Sequence, residues 1–120
     1  ARTSRDLRKW SDSTVVAIGG RTGKGANSAE CPFVVHLDGW FYLFRTQHYG
    51  KNALTSVYRS TDPLNFGVDT DAFFITELPV AAPEIIHHED GWYLACLMPS
   101  LKGIQIYRIE WRPDAPPASN

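Results

Sequence analysis

Few residues in this chain combine the types and spacings that chemistry requires, and the clearest is a glutamate. Glu30 heads the tripeptide Glu30-Cys31-Pro32 and opens a run rich in β-branched and aromatic residues. A carboxyl partly desolvated among such residues holds its proton towards neutrality and can therefore donate it. The glycine-rich stretch over 19–25, GGRTGKG, invites a phosphate-loop reading and fails it. Ala26 stands where lysine is needed, and no helical pattern follows. A flexible loop is expected there instead. His36, His87 and His88 fall on strands or at their turns with no third ligand placed to join them, so they read as packing residues. Asp69 and Asp71 resemble a scrap of a calcium loop whose other ligands are missing. No metal site and no cofactor is expected.

The elements that must position these residues announce themselves by repetition. PFVVHLDGWFYLF over 32–44 returns as PEIIHHEDGWYLACL over 83–97. Asp38-Gly39-Trp40 aligns with Asp90-Gly91-Trp92 at a spacing of 52, and Tyr58-Arg59 with Tyr107-Arg108 at a spacing of 49. A period near 50 built from several short strands is the pattern of propeller blades. Asp-Gly between two β-prone runs signals a tight hairpin, since glycine takes the positive φ that such turns need. Strands are expected over 31–37, 40–45, 54–60 and 72–78, then over 84–88, 92–98 and 103–109. Both faces of these strands are apolar, as befits a sheet covered on each side. Ser4-Arg5-Asp6-Leu7 also echoes Ser60-Thr61-Asp62-Pro63-Leu64, which makes 13–18 the counterpart of the strand over 72–78.

The expected fold is thus all-β: about eight antiparallel strands, two blades' worth, within one partial propeller domain over 1–111. Its repeat units are 29–78 and 79–111, an outer strand over 13–18 precedes them, and a Pro-rich tail occupies 112–120. Composition narrows the function classes. Twelve Lys and Arg against 13 Asp and Glu leave a formal net charge of −1, with no basic tract. Nucleic acid and anionic membranes are therefore excluded as expected partners, and no apolar run is long enough for a spanning helix. The chain starts at Ala1, which reads as a processed or trimmed start, and two cysteines make no disulfide framework. The compartment stays open between secreted and cytoplasmic.

The Ser-x-Asp-Leu-x-x-Trp segment ending at Trp10, then Glu30-Cys31-Pro32, then Asp-Gly-Trp-Phe-Tyr-Leu-Phe over 38–44, resembles the five-bladed propellers of glycoside hydrolase families 32 and 43 and their relatives. The resemblance spans roughly residues 4–111. It implies O-glycosyl hydrolysis of fructosides, arabinosides or xylosides in the complete form, with Glu30 at the position of the general acid. Such cleavage needs a second carboxylate as base or nucleophile. The family segments that carry it, of Trp-Met-Asn-Asp-Pro and Arg-Asp-Pro type, are absent from this sequence. The second repeat unit has Ala81-Ala82-Pro83 where the first has Glu30-Cys31-Pro32, so the carboxyl is not a requirement of the blade.

In a propeller, Arg45, Gln47, His48 and Tyr49 would share the Glu30 rim and supply sugar contacts, because rings stack on apolar sugar faces and amide or guanidinium groups bridge hydroxyls. The alternative is a non-catalytic module that binds carbohydrate, or one that assembles as a homo-oligomer completing a propeller. An incomplete five-bladed ring and a ring closed by several copies are both consistent with the strand order.

Overall fold

The computed structural model describes residues 1–112, which form an all-β structure of two antiparallel sheets. The first sheet has the order β1 (Glu30–Leu37), β2 (Trp40–His48), β3 (Leu54–Ser60) and β4 (Phe74–Leu78). The second has β5 (Ala81–His88), β6 (Gly91–Leu97) and β7 (Ile104–Ile109). Each is a meander in which sequence neighbours pair, as short β-branched and aromatic runs separated by turn residues dictate. The expected Pro-rich tail lies, apart from Arg112, outside the described residues.

The ladders correct the alignment of the repeat. Val34 pairs with Leu43 as Ile85 does with Leu94, and Glu30 pairs with Thr46 as Ala81 does with Leu97, each a displacement of 51. The first hairpin turns on Asp38 and Gly39, with φ of 49° and 81°, the two positive values that a type I′ turn demands. The second turns on Glu89 and Asp90, so Gly91 is already a strand residue paired with His88. Asp-Gly therefore has different jobs in the two hairpins. Trp92 occupies the slot of Phe41 rather than that of Trp40. His36 stacks on Phe41 at 4.4 Å between ring centroids, and His87 meets Trp92 at 4.6 Å in the matching position.

The sheets stack face to back. Tyr42, Phe44 and Val57 of the first sheet form one cluster with Ile85, Leu94 and Cys96 of the second. By register, Ile85, Leu94 and Cys96 correspond to Val34, Leu43 and Arg45, which lie on the opposite face of the first sheet. That opposite face carries its own cluster of Leu43, Tyr58 and Phe66, against which Val16, Ala17, Phe73 and Phe74 pack.

Residues 13–18 do not form the expected outer strand, so seven strands replace eight. Only Ile18 makes a bridge, parallel, to Val68. The segment's hydrogen bonds go to irregular backbone: Phe66 N–H donates to Val16 O at 2.7 Å, and Asp69 N–H donates to Ile18 O at 2.8 Å. With no ladder edge beside it, pairing cannot propagate. The Ser-x-Asp echo does recur in the structure, since Asp6 accepts from Arg8 N–H and Asp62 from Leu64 N–H, both at 2.9 Å.

The glycine-rich loop is tied by side-chain contacts to Asp69, Asp71 and Glu77. Arg21 N–H donates to the Asp71 carboxylate at 3.1 Å, the Arg21 guanidinium meets Glu77 at 3.1 Å, and Lys24 Nζ meets Asp69 at 2.7 Å. The two aspartates are thus engaged by cations of this loop. Gly19 has a φ of 74°, and a Cβ built there would stand 2.2 Å from Asp69 Oδ1.

Two buried hydroxyls join the sheets. Thr46 and Thr55 are fully enclosed at 0% exposure. Their oxygens lie 3.1 Å apart. Thr46 Oγ1 accepts from Ala82 N–H at 2.8 Å, and Thr55 Oγ1 donates to Val80 O at 2.7 Å. Thr46→Val keeps the shape but strands a buried N–H, so it is expected to cost about 1–3 kcal/mol in urea unfolding. The double variant Thr46→Val/Thr55→Val should cost less than the sum of the singles, because both disrupt one network. Gly19→Ala is expected to destabilise by about 1–3 kcal/mol through clash and backbone strain. Gly25→Ala, whose Cβ would meet nothing closer than 3.7 Å, should leave the thermal midpoint unchanged.

Candidate functional site

The start of β1 is bent by a bulge: the register shifts between Glu30 and Phe33. Pro32 has no N–H for the ladder, and Cys31 before it sits at a φ of 45°, a conformation that costs a non-glycine residue about 1–2 kcal/mol. The second sheet repeats the device, with a shift between Ala81 and Glu84 and a φ of 48° at Ala82 before Pro83. The bulge is therefore built by the backbone in both units; ahead of the strained residue stands Glu30 in the first and the buried Ala81 in the second, where Glu84 follows Pro83 instead. Bulges re-aim side chains at sheet ends. Here one turns Cys31 towards the loop that follows β2.

Tyr49 opens that loop, and its hydroxyl lies 3.3 Å from Cys31 Sγ. The phenol is held far above its ordinary range: first by burial, then by the hydrogen bond with Cys31, and by the nearby Glu30 carboxylate. Glu30, Cys31 and Tyr49 thus form one cluster with a carboxyl, a thiol and a tightly held phenolic proton. Gly50, at a φ of 72°, turns the chain next, and a Cβ there would come within 3.8 Å of Pro99 O. The matching loops of the two units are neighbours at this rim.

The other expected site residues are placed differently. Arg45 and Gln47 alternate with Thr46 and so leave β2 on the opposite face. Arg45 is buried over Tyr58, and Gln47 Nε2 donates to Ser56 Oγ at 3.1 Å. His48 is exposed at the end of β2, opposite Leu54. Tyr58, which Arg45 overlies, was not among the expected site residues. Aligning the units at 51 rather than 52 would have placed Arg45 opposite Cys96, exposing a cation in a core slot.

Between the sheets, on the β4 and β7 side, lies a cleft of about 720 Å³ lined by Trp40, Tyr42, Phe74 and Trp111 among others. The Arg59 guanidinium stacks on Trp40 at 4.3 Å at its border. Glu30, Cys31 and Tyr49 take no part in this cleft. Among the described residues no three His, Cys, Asp or Glu side chains converge as metal ligands do.

Comparison with protein-family models, with curated proteins and with solved structures finds no match.

Because its folded pKa is raised above the unfolded value of about 10, Tyr49 favours folding fully below that pH and loses this contribution as pH rises through and beyond it. Urea unfolding between pH 9 and 11 should show stability falling more steeply in the parent chain than in Tyr49→Phe. Cys31→Ala should shift the Tyr49 absorbance titration downwards, visible as the difference from Tyr49→Phe.

Proposed function

We propose that the chain is two consecutive blades of a β-propeller related to glycoside hydrolases, with Glu30 as the proton donor to a glycosidic oxygen in the complete form. The observation that carries this reading is the contrast between the two bulges. One backbone device is used twice, at Cys31-Pro32 and Ala82-Pro83, yet only the first has a carboxyl immediately ahead of its strained residue, and that carboxyl has a phenol beside it. A group that the fold does not require, set on a strained and repeated mount at a strand end, is the pattern of a functional residue. The substrate class is a fructoside, arabinoside or xyloside, with Tyr49 and His48 at the same rim as sugar contacts. The second carboxylate that hydrolysis requires comes from other blades.

The face-to-back stacking supports the propeller part. Each sheet offers a partner the same pair of faces, so further blades add by the same operation. Val57 is 3% exposed, whereas its register counterpart Ile106 is 68% exposed and awaits a covering sheet. The same exposure favours, as a second reading, a carbohydrate-binding unit whose copies assemble into a ring.

Hydrolysis of aryl fructosides, arabinosides and xylosides by the complete propeller tests the assignment. Glu30→Gln is expected to lower turnover by about 10²–10⁴-fold, and Tyr49→Phe by less. Turnover that survives Glu30→Gln removes Glu30 from this role. Sugar binding without turnover, indifferent to Glu30→Gln, favours the second reading.

A further inference from the structure

The second sheet ends on a strand whose counterpart in the first sheet is internal. By register, Ile104, Ile106 and Tyr107 of β7 match Thr55, Val57 and Tyr58 of β3. β3 is paired on both sides, with β2 and β4, whereas among the described residues β7 pairs only with β6. Its sequence, Ile104-Gln105-Ile106-Tyr107-Arg108-Ile109, holds no proline and no lysine, the residues that commonly guard an edge strand. Ile104, Ile106 and Tyr107 are exposed. The cleft of about 720 Å³ between the sheets lies on this side, walled by Phe74, Ile75 and Leu78 of β4 and by Ile109 and Trp111.

The first sheet shows what such a place takes. β4 closes that sheet, and a Ser-x-Asp turn precedes it, in which Leu64 N–H donates to Asp62 at 2.9 Å. The same turn at Ser4 and Asp6, with Arg8 N–H donating to Asp6 at 2.9 Å, precedes the arm Thr14-Val15-Val16-Ala17-Ile18. This arm is rich in β-branched residues and uncharged over 13–18, yet it forms no strand in its own chain. Its backbone bonds run to Ala1 and to the irregular stretch over 66–69, and Val15 is 61% exposed. Gly19 and Gly20, at φ of 74° and 60°, separate the arm from Arg21, which Asp71 and Glu77 hold. A hinge at these glycines lets the arm swing while the loop after it stays tied. The chain's continuation over 113–120 holds three prolines, which lack the N–H that a ladder needs, so it suits this edge poorly.

We propose that residues 13–18 of a second copy of this chain add to the free edge of β7 as the fourth strand of the second sheet, with alternate side chains turned into the cleft. The move gives up the packing of Val16 and Ala17 on the first sheet. It gains ladder hydrogen bonds for the arm and for β7, together with apolar burial in the cleft. Exchange passed from copy to copy closes as a dimer or as a larger ring, and either leaves no β7 edge bare. Such exchange rests on the second reading, in which copies assemble, and names the contact that joins them.

Light scattering of the whole chain over a concentration series tests it. A mass above the 13.5 kDa of one chain is expected, rising with concentration. Successive N–H groups of a strand point to opposite sides, so either Val15→Pro or Val16→Pro removes a donor from the new ladder whatever its register. That variant should raise the midpoint concentration of assembly about tenfold. Neither substitution removes a backbone donor used within the single chain. A synthetic peptide of residues 11–18, SDSTVVAI, needs no variant to fold and should compete with the arm, returning the parent to single chains. The same peptide with Val15→Pro and Val16→Pro together should not. A parent that stays monomeric at every concentration overturns both the exchange and the second reading. Assembly that both proline variants and the peptide leave unchanged overturns the exchange alone and moves the contact to the exposed face of the second sheet.

Discussion

The structure turns on a hydroxyl pair. Thr46 and Thr55 lie on paired strands of the first sheet, and through them that sheet grips both the carbonyl of Val80 and the N–H of Ala82. These are the backbone groups at the entry of β5, where the bulge leaves the ladder incomplete. Buried backbone groups without partners are rare because each costs a desolvation penalty, so their satisfaction from a neighbouring sheet fixes where β5 begins. The position of β5 in turn sets which face of the second sheet meets Tyr42, Phe44 and Val57. A pair of threonines thus decides the order of the stack, while apolar area supplies most of its strength.

Face-to-back stacking has an energetic corollary. Two sheets that met by equivalent faces would satisfy each other and close. Here each sheet buries one face against the partner's other face, and the outward faces keep the character of inward ones. Ile86, Ile104 and Ile106 on the outer side of the second sheet remain exposed. Each such side chain gives up about 1.5–3 kcal/mol of available burial. On the other side, the first sheet is partly covered by Val16, Ala17 and Phe66, and that cover comes from irregular chain rather than from a strand.

The strands and their order were legible because apolar and aromatic runs of strand length are separated by unmistakable turn residues. The register was not. Asp38-Gly39-Trp40 and Asp90-Gly91-Trp92 look identical, yet the ladder at His87 and Trp92 places the second motif one residue out of phase. One extra residue between Pro83 and the Asp-Gly pair leaves no mark in composition, but aligning on that pair moves every side chain to the other face. The fate of residues 13–18 was hidden for a related reason: a β-prone segment becomes a strand only beside a free edge. At the site, the proximity of Glu30, Cys31 and Tyr49 follows from hairpin pairing and was foreseeable. The burial of Arg45 was not, because a cation at a strand end usually reaches water, and only tertiary cover decides otherwise.

The strained residue before each proline has a consequence for how such a chain changes over generations. Cys31 and Ala82 take the same backbone angle although their side chains and neighbours differ, so the angle is a property of the scaffold. The residue just ahead of each sits in a different setting: Glu30 is half-buried, whereas Ala81 is 1% exposed. A carboxylate in place of Ala81 would have to be desolvated, so the second mount accepts little beyond a methyl group. Inheriting the backbone angle is therefore not enough to inherit an acid: the surroundings of each mount decide which side chains a lineage can try there.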